Sequence, residues 1–271
     1  MARLPVSAQL WRDRAEIDYI GPFVKAWAAF NAWYRAESGS RRDRVGLDYV
    51  KGHANPIRSE ILPHLGPAQN DPAGRRRPDS EAAQEFKLLI AQLHSRLEAF
   101  RIEVGREDDT VERITFSSVA VRRPSPPPQT ITSSRITFTV NKTHGQWVSS
   151  VTNRAGQVTT TITQADYDET AFVTHPHFLA LSITQQSHFR AAYQLCCPRP
   201  LMNLLAGTEP VVAVGDLEFR CSDEDLFGGL VEVIYSMRNA LLHGELQADE
   251  RAFQTYEPAY RIVMKFLECV R

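Results

Sequence analysis

Residues 226–244 carry the pattern that most constrains how this chain can fold. Apolar side chains recur there at helical spacing and predict one buried helix face: Leu226, Leu230, Ile234, Met237 and Leu241. Gly244 follows and is typical of the left-handed residue that ends a helix. Asn239 and His243 lie one turn apart on one face, and the long side chain of Arg238 can reach toward it. The stretch predicts a helix that ends in a polar cluster able to converge on one ligand.

A second amphipathic helix is predicted from about Asp13 to Glu37, with Pro22 tolerated near an early turn. Its apolar stripe consists of Ile20, Phe23, Trp27, Phe30 and Tyr34. Asn31 lies on the same side and needs a hydrogen-bond partner if it is buried. It is either a structural residue that ties two helices together or a support for the Arg238 and His243 cluster from across the bundle.

These two stretches resemble HEPN domains. The run from Arg238 to His243 matches the HEPN motif of an arginine, four residues and a histidine, and Asn239 fits the polar residue that follows the arginine. The run from Phe23 to Tyr34 is similar to the first helix of a HEPN subgroup, in which a Trp and a Phe-Asn pair precede an aromatic residue. The resemblance covers about the first forty and the last fifty residues of the chain.

The expected fold is mainly α (α+β): a HEPN-type antiparallel helical bundle with a small antiparallel β insertion. Residues 1–109 are expected to form the N-terminal helices of the bundle, with a break at Asn55-Pro56 and a further helix from Glu81 to Glu103. Residues 110–165 form the β insertion in this prediction. Its predicted strands are Glu112–Val121, Arg135–Val140, Gln146–Thr152 and Gln157–Thr163, with a hairpin turn at Asn153–Gly156.

Residues 166–271 are expected to complete the bundle and to carry the motif. A helix is predicted from near His175 to Cys196, followed by short strands at Val211–Val214 and Leu217–Cys221. Ser222 is the predicted N-cap of the motif helix. A last helix, capped by Asp249 and containing Pro258, should pack antiparallel to it because the connecting loop is short.

Composition excludes several classes of protein. A net charge of −1 over 271 residues gives no global attraction to nucleic acid, so RNA contacts have to come from local basic patches. The run Arg75–Arg77 is either such a patch or a solvated loop. The 4 cysteines have no metal-ligand or disulfide spacing, and no apolar run is long enough to span a bilayer. We therefore expect a cytoplasmic protein with no metal, no cofactor and no membrane contact.

The resemblance implies a metal-independent ribonuclease that acts as a homodimer and serves a toxin-like or antiviral defence role. The implied catalytic residues are Arg238 and His243, supported by Asn239 and Asn31. Histidine exchanges protons near neutral pH, and arginine presents a planar fork to phosphate oxygens. The further partner that the resemblance implies is an antitoxin or a regulatory protein. Some HEPN toxins have a tyrosine target for an antitoxin where this chain has Glu245, so that form of control is not expected.

Three alternatives remain open at this stage. The motif residues can be a capping arrangement only, because cations near a helix C-terminus are favoured by the helix dipole. The chain can be a non-catalytic HEPN module that binds RNA, nucleotide or a protein partner through the same groove. It can also be a helical scaffold that uses the β insertion for assembly.

Overall fold

The computed structural model describes residues 18–66, 79–105, 111–122, 127–208, 211–214, 217–246 and 250–270. Within these ranges the protein is mixed α+β, and its sheets are small. In chain order the helices are α1 (Ile20–Ser38), α2 (Asp43–Gly52), α3 (Pro56–Leu65), α4 (Glu81–Ala99), α5 (Glu169–Val173), α6 (Pro176–Leu179), α7 (Ile183–Leu195), α8 (Asp223–Leu242) and α9 (Glu250–Glu268). The strands are β1 (Glu103–Gly105), β2 (Val111–Arg113), β3 (Val119–Ala120), β4 (Gln129–Ser133), β5 (Ile136–Thr143), β6 (Gln146–Thr152), β7 (Val158–Gln164), β8 (Leu201–Met202), β9 (Val211–Val214) and β10 (Leu217–Arg220).

The chain divides into two compact units. The helical unit combines residues 1–119 with residues 202–271, and the sheet unit comprises residues 120–201. In sequence, the sheet unit is therefore an insertion between the two parts of the helical unit.

The core of the helical unit is aromatic. Phe23, Trp27, Phe30 and Tyr34 of α1 are buried, as the predicted stripe requires. From α9, Tyr256 meets the edge of Phe23 and Phe266 packs beside Phe30, which joins the first and last helices of the chain. Such aromatic contacts add about 0.5–1.5 kcal/mol each beyond the area that they bury.

Helices α8 and α9 lie antiparallel, which confirms the prediction from their short connection. The Tyr256 hydroxyl donates to the Met237 carbonyl over 2.8 Å, and Phe227 packs against Phe266. The residue that comes later in α8 therefore contacts the residue that comes earlier in α9. Two small antiparallel pairs, β1 with β2 and β9 with β10, complete this unit.

The sheet unit has a four-stranded antiparallel meander in the order β4-β5-β6-β7. Its inward-facing side chains pack against helices α5 and α7 in one core: Phe138, Val140, Trp147, Val151 and Ile162 from the strands, with Phe172, Phe189, Ala192 and Tyr193 from the helices. The predicted turn at Asn153–Gly156 is confirmed, since the Asn153 side chain accepts from two backbone amides and Gly156 has a φ of 79°. Strand β4 was not predicted.

Several predicted boundaries are wrong. Within the described residues α1 begins at Ile20, and residues 13–17 of the predicted helix lie outside them. Helix α4 ends at Ala99, because the chain turns into β1 at Glu103. The predicted strand over residues 112–121 is two short strands, β2 and β3, and these belong to different pairs.

The region assigned to residues 166–271 also differs from the prediction. The single helix predicted from His175 to Cys196 is two helices, α6 and α7, since Ser182 and Gln185 form a capping box that starts a new one. Helices α5 to α7 belong to the sheet unit, because their aromatic side chains fill the core under the sheet. The unit boundaries thus lie at residues 119/120 and 201/202, whereas the sequence placed them at 109/110 and 165/166.

Candidate functional site

Helix α8 carries the motif, and both of its ends follow from local sequence. Ser222 accepts a hydrogen bond from the Asp225 amide, which confirms the predicted N-cap. The opposite end closes at Gly244, whose φ of 72° is left-handed. There the Gly244 amide donates to the Leu241 carbonyl and the Glu245 amide to the Ala240 carbonyl, the paired bonds of a Schellman motif. The helix therefore ends in a defined geometry at His243, its C-cap residue.

His243 is exposed. Its backbone amide donates to the Asn239 carbonyl over 2.9 Å. Among the residues that the structure describes, its imidazole makes no hydrogen bond. Within this described part of the chain, both ring nitrogens are therefore unpaired.

Arg238 is held on the side of α8 that faces α2. Its Nη1 donates to Asn239 Oδ1 over 2.9 Å, and its Nη2 lies 3.6 Å from Asp43 Oδ2. The side chain is 23% exposed, and its Nε is buried with no hydrogen-bond partner. Because 3.6 Å exceeds a normal hydrogen bond, the ion pair is loose and leaves donors on Nη2 for another anion.

Asp43, the first residue of α2, is the centre of this cluster. Its Oδ1 accepts from Asn31 Nδ2 at 3.0 Å and from Arg35 Nε and Nη2 at 3.1 and 2.6 Å. The Tyr34 hydroxyl donates to the same carboxylate and accepts from Asn31. Three elements, α1, α2 and α8, thus meet at one carboxylate.

The titration behaviour of this cluster follows from its contacts. Burial would raise the pKa of the Asp43 carboxyl, but hydrogen bonds from Arg35 and Asn31 and the charge of Arg35 outweigh it, so this pKa is lowered. Burial, followed by the negative charge of Asp43, raises the pKa of the Tyr34 phenol. Near neutral pH the cluster therefore holds a carboxylate between two guanidinium groups and a protonated tyrosine.

Of the four residues predicted from sequence, Asn31, Arg238 and Asn239 come together around Asp43. Asn31 is part-buried and donates to Tyr34 and to Asp43, so it ties α1 to α2, as the structural role predicts. Its support of Arg238 and His243 stays a prediction, because no hydrogen bond joins it to either residue within the described ranges. His243 does not join this group through its side chain in the part of the chain that the structure describes; only its backbone amide reaches Asn239, in an ordinary helical hydrogen bond. Sequence reasoning missed Asp43, because an acid in the first turn of a helix is already favoured by the helix dipole and does not by itself indicate a site.

A second set of charges docks α2 on α8 and was also missed. Glu232 is buried on α8, and it accepts two hydrogen bonds from Arg44 at 2.8 and 2.7 Å and one from Lys51. The Arg44 guanidinium also lies over the Tyr235 ring, 4.9 Å from its centroid. These contacts position α2, and with it Asp43, against the motif.

The end of α8 is anchored on β1 as well. Glu245 Oε1 accepts from the Gly105 amide over 3.0 Å. Glu245 therefore has a structural role, since it ties the end of the motif helix to this strand. The arginine run at residues 75–77 and the Asp249 cap lie outside the described residues.

No family model, no curated protein and no solved structure matches the chain. Within the described ranges, no group of three or more His, Cys, Asp or Glu side chains is placed to hold a metal ion. In the same ranges, no helix is both long and apolar enough to cross a bilayer.

Proposed function

We propose that this chain is a metal-independent endoribonuclease with a HEPN-type helical bundle, which cleaves RNA through the 2′-hydroxyl. One observation carries the proposal: the exposed His243 imidazole and the loosely paired Arg238 guanidinium occupy the last turns of one helix with a closed end. That combination provides a proton carrier next to a phosphate-binding fork.

The chemistry divides between the two side chains. An unprotonated His243 accepts the proton of the 2′-hydroxyl as the oxygen attacks the phosphorus, and a protonated histidine gives a proton to the departing 5′-oxygen. Arg238 donates to the phosphate oxygens, on which negative charge builds up. Asp43 and Asn239 are positioning residues, because they act on the guanidinium and not on the substrate.

The site is proposed to be composite. One imidazole cannot easily serve as base and acid on opposite sides of the same phosphate, and a two-fold homodimer supplies the second copy. The exposure of His243 is compatible with such a meeting of two chains. A toxin-like or antiviral defence role, with an antitoxin or regulatory protein as a further partner, belongs to the proposal through the HEPN resemblance.

The test is cleavage of a labelled mixed RNA by the purified protein in EDTA. The His243→Ala and Arg238→Ala variants should each lose about 100-fold or more in cleavage rate while they remain folded. His53→Ala is the matched control for the histidine, because His53 is also an exposed C-cap residue of a helix in the same unit. Arg101→Ala, at an exposed arginine outside the motif, serves the same purpose for Arg238. Equal rates in the motif variants and the controls would overturn the proposal.

A second candidate is a non-catalytic module that binds RNA, nucleotide or a protein partner. It is favoured by the ion pair with Asp43, which partly occupies the Arg238 guanidinium in the single chain. Binding of the labelled RNA without any cleavage, at all protein concentrations, would select this candidate.

A further inference from the structure

The junction between α1 and α2, defined as residues 35–44, is basic in a chain that is otherwise balanced in charge. It contains four arginines and two acidic residues, whereas the whole chain has 31 basic and 32 acidic residues. A local excess of this kind is where a nearly neutral protein can attract a polyanion.

Two of the four arginines have acidic partners. Arg35 is bound to Asp43 and Arg44 to Glu232. The other two, Arg41 and Arg42, are exposed and have no ion pair with any residue that the structure describes. No acidic side chain in the described ranges neutralises these two charges.

Arg41 and Arg42 lie next to the candidate site in the sequence. Arg42 directly precedes Asp43, the residue that lies 3.6 Å from Arg238. Consecutive Cα atoms are about 3.8 Å apart, so the Arg42 backbone lies within the length of an arginine side chain from Asp43. The space beside Gly39 in the same junction is open, because a Cβ at this position would meet no atom within 4 Å.

We infer that the Arg35–Arg44 junction binds the phosphodiester backbone of RNA beside the cleaved phosphate, with Arg41 and Arg42 as the contacting cations. This inference rests on the proposed function, since it names the part of the same site that holds the flanking nucleotides. Contacts to phosphates carry no base information, so the junction adds affinity and register without sequence preference.

The test measures binding of a labelled single-stranded 2′-O-methyl RNA, which cannot be cleaved through its 2′-oxygen. In Arg41→Gln/Arg42→Gln the Kd should rise roughly fivefold or more at about 0.1 M salt, and the slope of log K against log salt should shrink by roughly 1.4, the value for two lost phosphate contacts. Circular dichroism and the melting temperature should match those of the wild type.

The matched control is Arg101→Gln/Arg135→Gln, which removes the same charge from two exposed arginines elsewhere on the chain. Its Kd should stay within about twofold of the wild type. Equal weakening in the two double variants, or wild-type affinity in Arg41→Gln/Arg42→Gln, would overturn the inference, as would a wild type that does not bind this RNA.

Cleavage of unmodified RNA separates the two proposals. If the wild type cuts, His243→Ala does not, and the junction variant binds normally, then only the junction inference fails. If the junction variant binds weakly but the wild type never cuts, the RNA-binding surface stands and the ribonuclease proposal fails.

Discussion

Arg238 Nη2 and Asp43 Oδ2 lie 3.6 Å apart, and this contact links the motif helix to the second helix of the chain. The same carboxylate is bound by Asn31 and Arg35, so the position of the motif arginine depends on residues that are distant from it in sequence. Substitutions that break this contact should therefore affect RNA cleavage more than they affect the fold.

Asp43→Asn should reduce RNA cleavage by up to about 100-fold, because Arg238 loses the charge that orients it. The loss should appear mainly in kcat, since Arg35, Arg41 and Arg42 still attract the substrate. Steady-state kinetics on a labelled RNA measure both constants. Glu37→Gln, which removes an exposed acid from the same junction, should leave kcat within about twofold. A rise in KM with an unchanged kcat would instead assign Asp43 to substrate binding.

The same residue should contribute to acid unfolding. The pKa of Asp43 is lowered in the folded protein by its hydrogen bonds to Arg35 and Asn31, which outweigh its burial. The folded state thus binds fewer protons than the unfolded state, so this stabilisation is present above the unfolded pKa of about 3.9 and is lost as pH falls below it. Denaturant titrations should show a smaller decline in unfolding free energy for Asp43→Asn than for the wild type. Parallel declines would contradict this assignment.

Gly46→Ala should destabilise the protein by about 1–3 kcal/mol. Helix propensity alone predicts the opposite, a gain of about 1 kcal/mol from alanine in a helix. However, a Cβ at Gly46 would overlap the Tyr34 ring, which is fully buried against it. Gly21→Ala is the control, since its Cβ would meet only Asp18 Oδ2 at 3.8 Å. In thermal melts, the melting temperature of Gly46→Ala should fall, and that of Gly21→Ala should rise or stay unchanged.

Glu232→Gln should cost about 3–5 kcal/mol, the usual penalty when one partner of a buried ion pair is removed. The Glu232 and Lys51 side chains are each 5% exposed, so neither charge has access to bulk water. Glu218→Gln removes one half of an exposed pair with Arg220 and should cost less than about 1 kcal/mol. Urea titrations measure both values, and a small loss in Glu232→Gln would mean that the Asp48 carboxylate, 3.1 Å from Lys51 Nζ, balances the lysine charge without Glu232.

Elements with local signals could be predicted from the sequence. Helix α8 has a serine cap, an apolar stripe and a terminal glycine, and all of these act within a few residues. The signals for the α2–α3 break and for the β6–β7 hairpin also act within a few residues. Where the prediction failed at α7, a local signal existed: the Ser182 capping box was outweighed by a continuous apolar pattern.

Only part of the candidate site could be predicted from the sequence. Arg238, Asn239 and His243 share one helix, so their proximity follows from helical geometry. Asp43 and Glu232 are defined by tertiary contacts between α2 and α8, and nothing in the residues around either position indicates its partner. Helices α5 to α7 were likewise assigned to the wrong unit, because an amphipathic pattern predicts a buried face without naming what covers it.

The chain leaves the helical unit and returns to it along neighbouring segments. Strands β3 and β8 pair, the Leu204 amide donates to the Phe116 carbonyl at 3.0 Å, and the Val121 amide donates to the Pro200 carbonyl at 3.1 Å. These hydrogen bonds join the two ends of the inserted segment, so it resembles a closed loop. Doubling the length of a loop costs only about 0.6 kcal/mol in closure entropy. Length changes between residues 121 and 200 should therefore cost the helical unit little closure entropy, and the helix that carries the site should tolerate them.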